Sequence, residues 1–146
     1  MQPYFKPISF LGEEGILAAN DDLEIILIPN WGSNLISIRD KKYNLELLRI
    51  PQTRETYQKN PGLYGTPILF PPNRIADGTF SFGRQTYSFE INEKDKNNHI
   101  HGFVHSLKWE LKETKVKDGQ VVILTELDSN RYPHIQAQFP HHFIIQ

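Results

Sequence analysis

Residues 65–92 read G-T-P-I-L-F-P-P-N-R-I-A-D-G-T-F-S-F-G-R-Q-T-Y-S-F-E-I-N and, after the polar link 93–97, residues 98–109 read N-H-I-H-G-F-V-H-S-L-K-W. Prolines, glycines, an Asn-Arg pair and three histidines stand at tight spacing among short alternating runs that predict strands and turns. Residues of this kind in a β-rich loop region serve either a sugar-like polyol or a metal ion.

Within this stretch Pro67, Pro71 and Pro72 fix φ near the extended value and stiffen the entry to Asn73-Arg74. Gly78 and Gly83 bracket Phe80 and Phe82 as hairpin punctuation. A guanidinium with a fork of donors, beside an amide that both donates and accepts, suits the vicinal hydroxyls of a sugar. The plain alternative is a surface ion pair for Arg74 and a turn cap for Asn73. His99 and His101 would share a face of an extended segment, with His105 and Glu110 beyond, which suits an imidazole-rich metal site. Gly102 interrupts the segment directly after the pair and would swing His105 away. For His101 a hydrogen bond to a substrate hydroxyl is as good a reading as metal ligation. For His99 and His105 polar strand positions are a better reading than either.

Outward from the stretch the pattern is strand and turn. Ile8, Phe10 and Leu11 lead into a predicted turn at Gly12-Glu13-Glu14-Gly15, and Ile16, Leu17 and Ala18 lead to a second at Asn20-Asp21-Asp22. Leu23, Ile25 and Leu27 alternate with Ile26 and Ile28, which predicts a strand buried on both faces. After the break at residues 29–34, Ile36 and Ile38 form the expected core face of the next strand. Residues 43–50 supply another extended run, and residues 53–59, between Pro51 and Pro61, are the one place where a short helix is expected.

Downstream, Trp109 opens a strand, Lys117-Asp118-Gly119-Gln120 forms a hairpin turn, residues 121–127 return, and Asp128-Ser129-Asn130 turns again. The apolar run Phe143, Ile144 and Ile145 closes the sequence and needs a partner strand, which is expected from a missing segment or another subunit. With no repeat, low-complexity segment or linker, the 146 residues read as one unit.

A formal net charge of -1 leaves no basic surplus for phosphates, so nucleic acid is not an expected partner. The absence of cysteine excludes disulfides and thiolate metal sites. No apolar run of about 18 residues and no leader pattern is present, so a cytoplasmic protein without a membrane partner is expected. A content of 38% hydrophobic and 12% aromatic residues suits a packed core.

The run N-R-I-x-x-G-x-F-x-F at residues 73–82, Tyr87, and N-x-x-H-G at Asn98, His101 and Gly102, with Trp109 downstream, together resemble the aldose 1-epimerase (galactose mutarotase) family. The likeness extends more weakly from about Leu23 to the end, where Tyr132-Pro133 and F-P-H-H-F at 139–143 resemble central strands of that fold. It implies an all-β, antiparallel β-sandwich of the galactose mutarotase-like type, with residues 1–146 as an incomplete, N-terminal part. It further implies binding of an aldohexose and interconversion of its α and β anomers by an acid and a base, with no cofactor or metal. Asn73 and Arg74 match the family's sugar-contacting pair, and His101 matches the histidine near the reacting end of the sugar. The family's acid histidine motif and C-terminal base glutamate have no match here, so no catalytic residue is assigned. Self-association, or a further segment, would be needed to complete the sandwich. A non-catalytic sugar-binding or structural role is the alternative.

Overall fold

In the computed structural model, which describes residues 2–146, the strands in chain order are β1 (Tyr4–Phe10), β2 (Glu13–Ala19), β3 (Leu23–Ile28), β4 (Asn34–Asp40), β5 (Leu45–Glu46), β6 (Arg74–Ala76), β7 (Thr79–Phe82), β8 (Gln85–Ser88), β9 (Asn98–Ile100), β10 (Glu110–Lys117), β11 (Gln120–Asp128) and β12 (Ile144–Ile145). Among the described residues there are two short α-helices, α1 (Arg54–Lys59) and α2 (Pro133–Gln138), besides several single turns of 3-10 helix. Every paired set of strands is antiparallel. The all-β expectation holds. No helix among the described residues is long and apolar enough to cross a membrane.

The residues divide into two compact units. The first comprises the chain up to Ile68, His105–Glu126 and Gln146; the second comprises Leu69–Val104 and Leu127–Ile145. Both are discontinuous in sequence, so no linker composition marks a division.

The first unit holds a five-stranded sheet in the order β1-β2-β3-β4-β5. The β1–β2 turn is tighter than the four residues expected. Phe10 pairs with Glu13, and only Leu11 and Gly12 form the loop, both at positive φ (50° and 83°) as a type I′ hairpin requires. Glu13, Glu14 and Gly15 therefore belong to β2. In β3 only Ile28 is fully buried and Leu23 is exposed, so burial on both faces is partial. In β4, Ile36 is buried as expected and Ile38 is half-buried. The apolar run 43–50 contributes only the two residues of β5 to the sheet, and Tyr43, Leu45, Leu47 and Ile50 are exposed.

Ile28, Trp31, Ile36, Tyr57 and Tyr64 form the core of this unit. The Trp31 and Tyr57 rings stack at 3.8 Å. Tyr57 is delivered by α1, which starts where expected because the Thr53 hydroxyl accepts the Thr56 N–H at 3.1 Å. The fully buried Asn34 serves this core from β4: its Nδ2 donates to the Tyr64 carbonyl at 3.0 Å, and its Oδ1 accepts the Thr66 N–H at 2.8 Å. Pairing of Glu110–Lys117 with Gln120–Glu126 closes through the expected Asp118-Gly119 turn.

The second unit is held by aromatic rings. Phe89 stacks on Phe103 at 5.3 Å, Phe80 on Tyr87 at 4.8 Å, and Phe70 packs on Phe143 at 4.8 Å. Three expectations are corrected here. Tyr132-Pro133 leads into helix α2 rather than a strand, since Pro133 occupies the first turn where its missing N–H costs nothing. Residues 139–143 form no strand. The closing apolar pair finds a partner within this chain, with Leu127 opposite Ile145 and Asp128 opposite Ile144.

Asn34→Ala is expected to lower unfolding free energy by about 2–3 kcal/mol, because it removes the hydrogen-bond partner of a buried carbonyl and leaves a void. Urea denaturation followed by tryptophan fluorescence measures it. A loss below about 0.5 kcal/mol would show that Asn34 does not hold the 64–66 segment.

Candidate functional site

Strands β6 and β9 are three residues each, too short to be stable as an isolated pair, and they sit in the aromatic second unit. Their register sets Arg74 opposite Ile100, Ile75 opposite His99 and Ala76 opposite Asn98. One step beyond the ladder the His101 N–H donates to the Asn73 carbonyl at 2.9 Å. Backbone pairing thus brings Asn73, Arg74 and His101 together although they are far apart in sequence. Asn73 and His101 both have φ of 64°, a left-handed conformation that Asn and His accept more readily than most residues. Both chains therefore turn out of the ladder at the same level. His101 ends the strand instead of continuing it, so it does not share an extended face with His99.

Gly102 makes this turn sterically feasible. It has φ of 68°, and a Cβ placed there would lie 1.9 Å from the Phe70 carbonyl oxygen. The same oxygen accepts the Phe103 N–H at 3.0 Å. Direct backbone packing at residue 102 therefore positions the loop carrying His101 against the segment leading to Asn73.

Arg74 is held in a fork. Its Nε donates to Glu93 Oε2 at 2.7 Å and its Nη2 donates to Oε1 at 2.8 Å. Asn98 Nδ2 donates to Oε2 at 2.9 Å, and Lys96 Nζ to Oε1 at 3.2 Å. The hydrogen bonds from Arg74, then Asn98, hold the Glu93 carboxyl far below the ordinary carboxylate range, and Glu93 in turn raises Arg74. Both features of the plain alternative are present, since Arg74 is ion-paired and the Asn73 side chain accepts the Arg74 N–H at 2.9 Å. The fork nevertheless leaves the Nη1 group without a protein partner. The Arg74 side chain is 46% exposed, against 13% for Glu93. His101 Nδ1 is buried and has no hydrogen-bond partner in the protein.

The other histidines separate. His99 is fully buried; its Nδ1 bonds the Glu90 carbonyl at 2.8 Å, and its ring lies against Phe89 and Phe103. It is a core residue. His105 belongs to the first unit. Among the described residues no three His, Asp or Glu side chains are grouped to hold a metal ion. His141 bonds the Tyr87 hydroxyl at 2.8 Å, and His142 bonds Asp128 at 3.0 Å. A cleft of about 710 Å³ in the first unit, bounded by Ile8, Ile16, Trp109 and Leu111 among others, includes none of the three candidate residues.

Two contributors escape a reading of the sequence. Glu93 sits in the polar link, and nothing in its spacing points back to Arg74. Asn92 clamps β9 by accepting the Ile100 N–H at 2.6 Å and donating to its carbonyl at 2.9 Å. The clustering of Asn92, Glu93, Asn97 and Asn98 about one short link is the available signal, because such residues satisfy backbone groups in loops.

Gly102→Ala is expected to cost about 3 kcal/mol through backbone collision and strain. It should displace the amide resonances of Asn73 and His101 together; an unchanged spectrum would contradict the packing. Glu93 generates a pH prediction. Its folded-state proton affinity is below that of the unfolded chain, so its stabilising contribution is complete above about pH 5 and drains away as pH falls below that. Urea midpoints measured against pH should fall less steeply toward acid in Glu93→Gln than in the wild type.

A family model described as aldose 1-epimerase matches residues 16–146. A galactose mutarotase-like protein from Clostridium acetobutylicum superposes with a TM-score of 0.91 at 33% identity, over 98% of this chain and 44% of its own. Galactose 1-epimerase from Lactobacillus acidophilus gives 0.66 at 17% identity, over 88% of this chain and 40% of its own. An aldose epimerase homologue from C. elegans gives 0.55 at 20%, over 88% and 37%. The last two likenesses concern the fold alone, and the chain spans less than half the length of each of these proteins. The antiparallel β architecture, the match over nearly the whole chain and the Clostridium likeness agree, and the chain belongs to the aldose 1-epimerase family.

Proposed function

We propose that Asn73, Arg74 and His101 bind an aldohexose, and that residues 1–146 are the N-terminal part of a mutarotase-like β-sandwich. The observation carrying this reading is the β6–β9 ladder, which brings the backbones of the three residues together, with a buried, unpartnered Nδ1 on His101 and an Arg74 guanidinium whose Nη1 takes no part in the Glu93 pair. These groups offer directed hydrogen bonds of the kind vicinal hydroxyls take. Family membership supports the choice of a sugar.

The family reaction needs an acid that protonates the ring oxygen and a base that removes the C1 hydroxyl proton, so that the ring opens, the C1–C2 bond rotates and closure gives the other anomer. This chain supplies the binding residues. The acid and base have no matching motif in it, so in this reading the isomerase reaction, part of cytoplasmic carbohydrate metabolism, requires groups from a further segment or subunit. Without them the isolated chain binds sugar and does not turn it over.

Titration of the isotopically labelled chain with galactose or glucose should shift the Asn73, Arg74 and His101 resonances saturably. Arg74→Ala or His101→Ala should weaken the response about tenfold, the value of one well-made hydrogen bond. Shifts confined to other residues would remove the site. In polarimetry the chain alone should leave anomer equilibration at its spontaneous rate; saturable acceleration abolished by Arg74→Ala would overturn the non-catalytic part of this reading.

A further inference from the structure

An arginine side chain has several rotatable bonds, and an exposed one spreads its guanidinium over many directions unless something holds it. Arg74 opens β6 with a side chain 46% exposed, yet both Glu93 carboxylate oxygens fix one edge of its guanidinium. The pair uses two of the five N–H groups and leaves the end that bears Nη1 outside it. The Glu93 carboxylate is itself held. Its Oε2 accepts from Asn98 Nδ2 at 2.9 Å, and its Oε1 accepts from Lys96 Nζ at 3.2 Å. The two backbones are tied as well, since the Glu93 N–H donates to the Asn98 carbonyl at 3.0 Å and the Asn98 N–H to the Glu93 carbonyl at 3.1 Å. In the ladder Asn98 stands opposite Ala76 and Ile100 opposite Arg74, on the face away from His99. Asn98 is also the first residue of the N-x-x-H-G run that ends in His101 and Gly102.

We infer that Asn98 and Glu93 are positioning residues for the sugar site: Asn98 fixes the Glu93 carboxylate, and that carboxylate fixes the Arg74 guanidinium so that its Nη1 end meets a ligand in one orientation. This rests on the sugar-site reading above. In this role neither residue touches the sugar or a reacting atom. Ordering Arg74 before the ligand arrives removes a cost that binding would otherwise bear. The N-x-x-H-G run thereby serves the site twice, directly through His101 and indirectly through Asn98. The hydrogen bonds that Glu93 accepts keep it ionised well below the ordinary carboxylate range, so the arrangement persists in mild acid.

The test follows galactose binding at the Asn73 and His101 amides and reads Arg74 directly through its Nε–H resonance. Glu93→Gln keeps the shape and loses the two-oxygen acceptor, while Asn98→Ser removes the amide that holds Glu93. Each should weaken galactose about threefold to tenfold, the scale of ordering one long side chain, and should move the Nε–H toward the position of a solvated arginine. Neither should weaken galactose further once Arg74 is replaced by Ala, because the effect runs through Arg74. Galactose bound as tightly by Glu93→Gln as by the wild type, or an equal loss in the Arg74→Ala background, overturns the inference and leaves the sugar site standing. No galactose response in the wild type overturns the sugar site; an Nε–H that still moves in both variants then upholds the relay that orders Arg74. The wild type alone supplies a further reading. Its Nε–H should hold position from about pH 6 to about pH 4, where an ordinary glutamate takes up its proton, and a shift that follows such a titration overturns the inference even where a variant fails to fold.

Discussion

The Phe70 carbonyl lies where a side chain on residue 102 would begin, and the arrangement of the second unit follows from that contact. With no Cβ in the way, the backbone after His101 lies directly on the segment before Asn73, and Phe103 returns a hydrogen bond to the same oxygen. Two strands of three residues then hold register because both ends are fixed, one by this contact and one by the bonds of Asn92, Glu93 and Asn98. A pair so short has little stability of its own. The aromatic packing of Phe89, His99 and Phe103 beneath it supplies the rest.

The first unit meets a similar demand by other means. Asn34 is a fully buried amide inside an apolar cluster, and its cost is offset because both its donor and its acceptor are used on the 64–66 backbone. Ser33 and Thr125 share a buried hydroxyl pair at 2.6 Å, which ties β11 to the start of β4. In both units a polar or backbone contact fixes the relation between strands, while apolar and aromatic burial supplies most of the driving force.

What could be read from the sequence was local. Asp118-Gly119 announced its hairpin, because turn chemistry resides in two to four adjacent residues, and Pro51 and Pro61 bounded the short helix expected at 53–59. Asn73, Arg74 and His101 could be singled out, but their adjacency depends on a ladder between distant segments. Helix α2 was missed because six residues are too few to show a helical period, and Tyr132-Pro133 at its start fits extended chain as well. Residues 43–50 were expected as an extended run, and only Leu45–Glu46 of them pair in the sheet; Leu45, Leu47 and Ile50 are exposed, since apolar character alone does not place a side chain inside. The left-handed turns at Asn73 and His101 carry no glycine to flag them, so the end of β9 could not be seen at His101. Glu93 was invisible because an ion pair across the sheet leaves no spacing signature.

The saturation of Glu93 has a consequence for proton chemistry. Each of its carboxylate oxygens already accepts two hydrogen bonds, and the group gives up its proton far more readily than an ordinary glutamate. A group with so little affinity for a proton makes a poor Brønsted base, and its occupied lone pairs leave no room for a hydroxyl to hand one over. The carboxylate nearest Arg74 is thus spent on orientation, and the proton acceptor in a ring-opening step would have to be a different group.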